Sequence, residues 1–279
     1  MILLIIKPFQ TMKKISVLMT IAAVSLCLLS CGNKSKKAAQ TAQETKSQVE
    51  VQQEEYIKMQ LDSLAAELLR LKPLDFVKKT NDGNIALTDK EKQVKPDYLI
   101  NATAINDLQT LSQKYRAATL IYVDKEVATL YEMPVADYDA ALTKLYLDIN
   151  DPKVKEIFSA DDPTESFKSF YEACKENGRL HYFWDVAAAA IVEHTFIASQ
   201  NSEKFLASFD DESASQVTLQ IALLTIAMDD LAEINPEYKE INEALKPLGV
   251  INAISVDQFK EQLEQVKDQV SASRATLIK

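Results

Sequence analysis

The chain has 279 residues, 41 acidic against 31 basic ones, a formal net charge of −10, four glycines and three cysteines. That acidity excludes a nucleic-acid binder, whose affinity comes from Lys and Arg clustered against phosphates. It does not call for a cationic partner, because an acidic surface is common among soluble proteins. The length suffices to bury most of the surface of a core without disulfide staples.

The first element is a leader. Met12 is followed by Lys13 and Lys14, then by an apolar run from Ile15 to Leu29 broken only by Ser and Thr. A bilayer span needs about 20 apolar residues, so this run has the length of a signal-peptide core instead. It ends Leu28-Leu29-Ser30-Cys31, after which the chain turns polar, GNKSKK. That ending resembles the lipobox of bacterial lipoproteins, and the leader resembles those of the Bacteroidota. The resemblance implies removal of residues 1–30 and lipidation of Cys31 as the new first residue. It also implies anchoring by several acyl chains, one of which alone would hold only marginally. Gly32 stands where Asp marks inner-membrane retention in enterobacterial lipoproteins, so the outer membrane is implied. The absence of early acidic residues, which surface-exported relatives carry, implies the periplasmic face. Lys7, Pro8 and Gln10 set residues 1–11 apart, and the expected translation start is Met12.

Residues 31–54 read as a polar tether and residues 55–279 as one helical domain. Three of the basic residues and none of the acidic ones fall in 1–30, so the remaining 249 residues carry −13. From Tyr56 the apolar residues recur at three and four: Ile57, Leu61, Leu64, Leu68, Leu71, up to Pro73. Residues 73–100 are irregular, and Asn81-Asp82-Gly83-Asn84 is a turn signal that admits a small hairpin. A long helix is predicted from Thr103 to Tyr131, with Pro134 as its stop, and another over 135–147. Asp162, Pro163 and Glu165 announce a helix start, and Asn177-Gly178 its end. The next helix, 180–200, carries small alanines that let a neighbour approach closely. A short one follows near Glu203 to Phe209. Residues 214–234 are the most apolar segment after the leader, too broken by Thr218, Gln220 and Thr225 for a span, and read as a buried central helix. A shorter helix lies between Pro236 and Pro247. The last is predicted over 256–275, with Ser255 as cap, Gln258 at box spacing and Ile254 against Phe259 as a staple. The fold class is all-α, a bundle of about eight helices with no repeat period.

Chemistry-bearing signals are few. His181 and His194 lie about 20 Å apart along one helix and cannot share a metal unaided. Glu193 and His194 are adjacent, not spaced as the Glu-x-x-His pairs of a di-metal bundle, so neither a metal nor a cofactor is expected. Cys174, at helical spacing from Phe167, Phe170 and Tyr171, reads as a buried structural thiol. Trp184, in the aromatic run His181–Asp185, could line a pocket or an interface. Asp229 and Glu233 oppose the dipole at a helix C-terminus. The candidate ligand-binding residues are therefore Trp184, Asp185, Glu193, His194 and Asp229, with Cys31 as the lipidation site and no catalytic residue. Two readings stay open. One is a lipid-anchored, non-enzymatic module that binds a protein partner in the cell envelope. The other is a ligand-binding or hydrolytic protein with a pocket between the 180–200 and 214–234 helices.

Overall fold

The computed structural model describes residues 48–72, 87–104, 107–159 and 163–278, which belong to one unit. Cys31, the leader, most of the tether, the turn at 81–84 and Asp162 lie outside the described residues. Among the described residues there are twelve α-helices and no strand. The all-α class is therefore correct, with more helices than the eight expected.

In chain order they are α1 (Gln48–Leu68), α2 (Asp89–Gln93), α3 (Leu111–Leu130), α4 (Ala136–Ile149), α5 (Pro152–Ser159) and α6 (Pro163–Glu176). These are followed by α7 (Leu180–Gln200), α8 (Ser202–Phe205), α9 (Asp211–Ile234), α10 (Lys239–Leu245), α11 (Val256–Gln265) and α12 (Lys267–Ile278). Short 3₁₀ turns sit at Ala102–Ala104, Pro236–Tyr238 and Lys246–Val250.

The centre is α7. Every face of it from Phe183 to Ser199 is buried, apart from Ala190, as expected of a helix with hardly a polar side. It packs on α3, α6, α9 and α12. The segment expected to be central, within α9, is instead flanking: its buried positions lie against α1, α7 and α10, and Asp229 and Glu233 reach solvent. Its apolar content, below that of α7, fits a helix with several neighbours and one solvent side. Of the four consecutive alanines of α7, Ala187, Ala188 and Ala189 are buried, which suits close packing on more than one side.

Caps fix where several helices begin. The long helix predicted to start at Thr103 starts instead at Leu111, as α3, because Thr110 and Gln113 form a reciprocal capping box. Thr88 and Glu91 do the same for α2, which occupies part of the segment expected to be irregular. Helix α6 ends as predicted, with Gly178 at φ 65°. There the Arg179 N–H donates to Cys174 O at 2.7 Å and the Gly178 N–H to Lys175 O at 3.1 Å, the paired bonds of a Schellman ending. Helix α5 was not foreseen. The single terminal helix predicted over 256–275 is two, parted at Val266. Ser255 caps α11 as predicted, but the staple does not form. Ile254 is 65% exposed, and Phe259 packs near Phe209 with ring centres 5.9 Å apart.

Candidate functional site

Three of the five candidate side chains on α7 and α9 are charged or polar and buried, and they turn to different partners. Asp185 accepts from Arg116 Nη1 at 2.6 Å and from Tyr238 Oη at 2.8 Å. Tyr238 is 3.2 Å from the Ser112 hydroxyl, and Arg116 Nε donates to Leu277 O at 3.2 Å. Burial pushes the Asp185 carboxyl up to about 6, with Arg116 pulling the other way.

Glu193, two turns further along α7, belongs to a second cluster. Arg274 Nε on α12 lies 2.9 and 2.7 Å from its two oxygens. The same guanidinium donates through Nη2 to Asp124 Oδ2 at 2.9 Å and through Nη1 to Tyr98 O at 2.9 Å. Its Cζ lies 4.1 Å from the centre of the Phe196 ring, and Phe196 in turn meets Tyr98 edge-on at 5.8 Å. Asp124 also accepts from the Ile100 N–H at 2.6 Å, and its side chain is in hydrogen-bond reach of Glu193. Asp124 and Glu193 are both 0% exposed. Burial pushes both carboxyls up, and Glu193 well above its ordinary range because the charge of Asp124 adds to burial.

The two clusters share a geometry. Arg116 and Asp185 are 69 residues apart, and so are Asp124 and Glu193. Equal offsets mean that α3 and α7 run in the same direction and in register. On each helix the two charges are eight residues apart, about 12 Å. Helix α12 closes both, with Arg274 at one level and the Leu277 carbonyl at the other.

The other candidates do not join them. Trp184 is fully buried, edge-on to Phe183 at 5.4 Å, and its indole N–H meets no acceptor among the described residues. His194 is buried on the same helix. Asp229 is exposed and accepts from Asn242 Nδ2 at 2.8 Å, whereas its neighbour Asp230 is the one turned inward. Burial pushes the Cys174 thiol up to about 12, so it stays protonated and packs as a small hydrophobe. Among the described residues no three His, Cys, Asp or Glu side chains are placed to hold a metal ion.

Arg116, Asp124, Tyr238 and Arg274 were missed by reading the sequence. A signal existed: the chain has four arginines, and Arg116 and Arg274 are each followed by small residues, RAAT and RAT, where a solvated face would carry more charge. The guanidinium fork suits buried carboxylates better than lysine does. No protein-family model, curated protein or solved structure matches the chain.

Proposed function

We propose that the protein is a lipid-anchored component of a bacterial cell envelope whose helical domain binds a protein partner. Cys31 would carry the acyl chains, the residues between it and α1, which begins at Gln48, would form a tether shorter than the 31–54 expected, and the domain would face the periplasm from the outer membrane. The carrying observation is the leader: a basic start, a 15-residue apolar run and Leu28-Leu29-Ser30 before Cys31. No helix among the described residues is long and apolar enough to cross a membrane, so lipid is the attachment that this leader supports.

The fate of the α7 side chains favours binding over catalysis. Asp185 and Glu193 are each committed to a buried arginine, so neither is a free base or nucleophile. A docking surface, by contrast, needs only a rigid frame, which two ionic clusters across three helices supply.

Labelling cells with a tagged fatty acid tests the anchor. Wild-type protein is expected to take up label and sediment with membranes, and Cys31→Ala to do neither. A Cys31→Ala protein that still carries label would sink the lipidation site. Cross-linking in living cells tests the adaptor role, with a stoichiometric partner expected for the anchored protein. If nothing is captured above background from cells expressing it at native level, the binding reading fails.

A further inference from the structure

The Arg274 cluster holds two carboxylates against one guanidinium. With both acids ionised, Asp124, Glu193 and Arg274 would place a net negative charge in a site where both carboxylates are fully buried. An unbalanced buried charge is among the costliest arrangements a protein interior can hold. The hydrogen bonds show where the imbalance is met. Asp124 Oδ2 is served by Arg274 and by the Ile100 N–H, but Asp124 Oδ1 is buried with no donor in place. The Asp124 carboxyl as a whole is within hydrogen-bond reach of another carboxyl, Glu193. Two carboxyl groups can bond to one another only through a proton.

We propose that Glu193 keeps a proton in the neutral range and donates it to Asp124 Oδ1, and that losing it releases helix α12 from α3 and α7. The protonated pair leaves one negative charge opposite one guanidinium, and every buried oxygen of Asp124 then has a donor. Loss of the proton to solvent leaves two charges repelling across the contact, with Arg274 as the single counter-charge. At this level helix α12 is held to the two acids by that one side chain, whereas its end is tied separately through the Leu277 carbonyl to Arg116, so the part of α12 around Arg274 is what loosens.

The other titratable groups around the pair do not compete for the proton. Tyr98, from the segment preceding α3, and Tyr138, from α4, are both pushed up by burial, Tyr138 to about 12. Both hydroxyls therefore stay neutral where Glu193 would titrate. Tyr138 instead donates to Ile100 O at 3.2 Å, which steadies the loop whose N–H binds Asp124. Arg274 keeps its charge throughout.

Infrared difference spectroscopy on the full chain at about pH 8, where Asp185 is ionised, reads the proton directly. A protonated-carboxyl stretch that shifts on deuteration is expected in the wild type and is expected to vanish in Glu193→Gln. Hydrogen exchange reads the consequence. Amide protection over 267–278, corrected for intrinsic rates, is expected to fall by up to about tenfold per pH unit as the pH rises toward the Glu193 transition and to level off above it. Glu193→Gln, whose amide can still donate to Asp124, is expected to lose that step. If that variant does not fold, Asp124→Asn supplies the same donor from the opposite side and carries the test. A wild-type spectrum without the band overturns the proposal, and so does an alkaline step that survives in whichever variant folds.

Discussion

Arginine is scarce in this chain, and two of its four copies lie inside it. Each meets its acid at short range, Arg116 with Asp185 at 2.6 Å and Arg274 with Glu193 at 2.7 Å. The worth of such a pair is asymmetric: removing one partner strands the other in a dry site. Arg274→Ala is therefore expected to lower the unfolding free energy by about 3–5 kcal/mol, read as a shift in urea midpoint. Arg274→Lys should recover little of that. One ammonium cannot serve Glu193, Asp124 and the Tyr98 carbonyl as the planar fork does.

Asp185 makes a prediction with a definite sign. Its carboxyl titrates near 6 when folded, above the ordinary 3.8 of the unfolded chain. Between those values the folded state binds the extra proton, so stability from this group is fully present below about pH 4 and is lost as pH rises to about 6. Two pH units correspond to about 3 kcal/mol. Denaturation across that window should show a contribution that Asp185→Asn abolishes, visible as the difference between the two pH profiles. A difference of the opposite slope would show that the Arg116 charge outweighs burial.

At the scale of the element, what was legible was what is local. The ending of α6 was readable because Asn177-Gly178 demands a positive φ, and the 65° at Gly178 is the answer. A Cβ added at Gly178 meets nothing within 4 Å, so Gly178→Ala is expected to cost only the left-handed strain. That is about 1–2 kcal/mol by thermal or urea unfolding. A much larger loss would mean that the residue makes contacts beyond its own backbone. The cap of α11 at Ser255 was legible for the same reason. The start of α3 was not, because the apolar spacing from Ile105 onward continues through a boundary that Thr110 and Gln113 impose. Helix α5 was missed because eight residues hold too few apolar positions to show a period. The rank of α7 and α9 was inverted because the acids and histidine within α7 masked a helix that is the more apolar of the two, while the carboxylates of α9 gather at its ends. Of the candidate site, the acids on α7 were visible as polar interruptions in an apolar helix. Their partners were not, because pairing across 69 or 81 residues leaves no trace in local spacing.

For the whole molecule, the same separations govern how the domain assembles. Helices form on their own neighbours, but the ionic clusters need segments brought from far along the chain, and such closure is entropically slow. The chain has a single tryptophan to report the second process, Trp184, buried in the second turn of α7. Stopped-flow refolding should show far-ultraviolet helical signal recovering before the fluorescence of Trp184. Coincident recovery by both probes would mean that helix formation and docking are one step.

Because α3 and α7 lie side by side in the same direction, the chain must return along the full length of α3 before α7 can begin, and α4, α5 and α6 make that return. A cut anywhere between residues 124 and 185 therefore parts both clusters at once: Arg116 goes with one piece and Asp185 with the other, Asp124 with one and Glu193 and Arg274 with the other. The C-terminal piece keeps the Glu193–Arg274 pair but strands Asp185 without Arg116, and the N-terminal piece strands Asp124 without Arg274, so neither can close its interior alone. The domain has no autonomous half, and two such fragments could regain the fold only by finding each other.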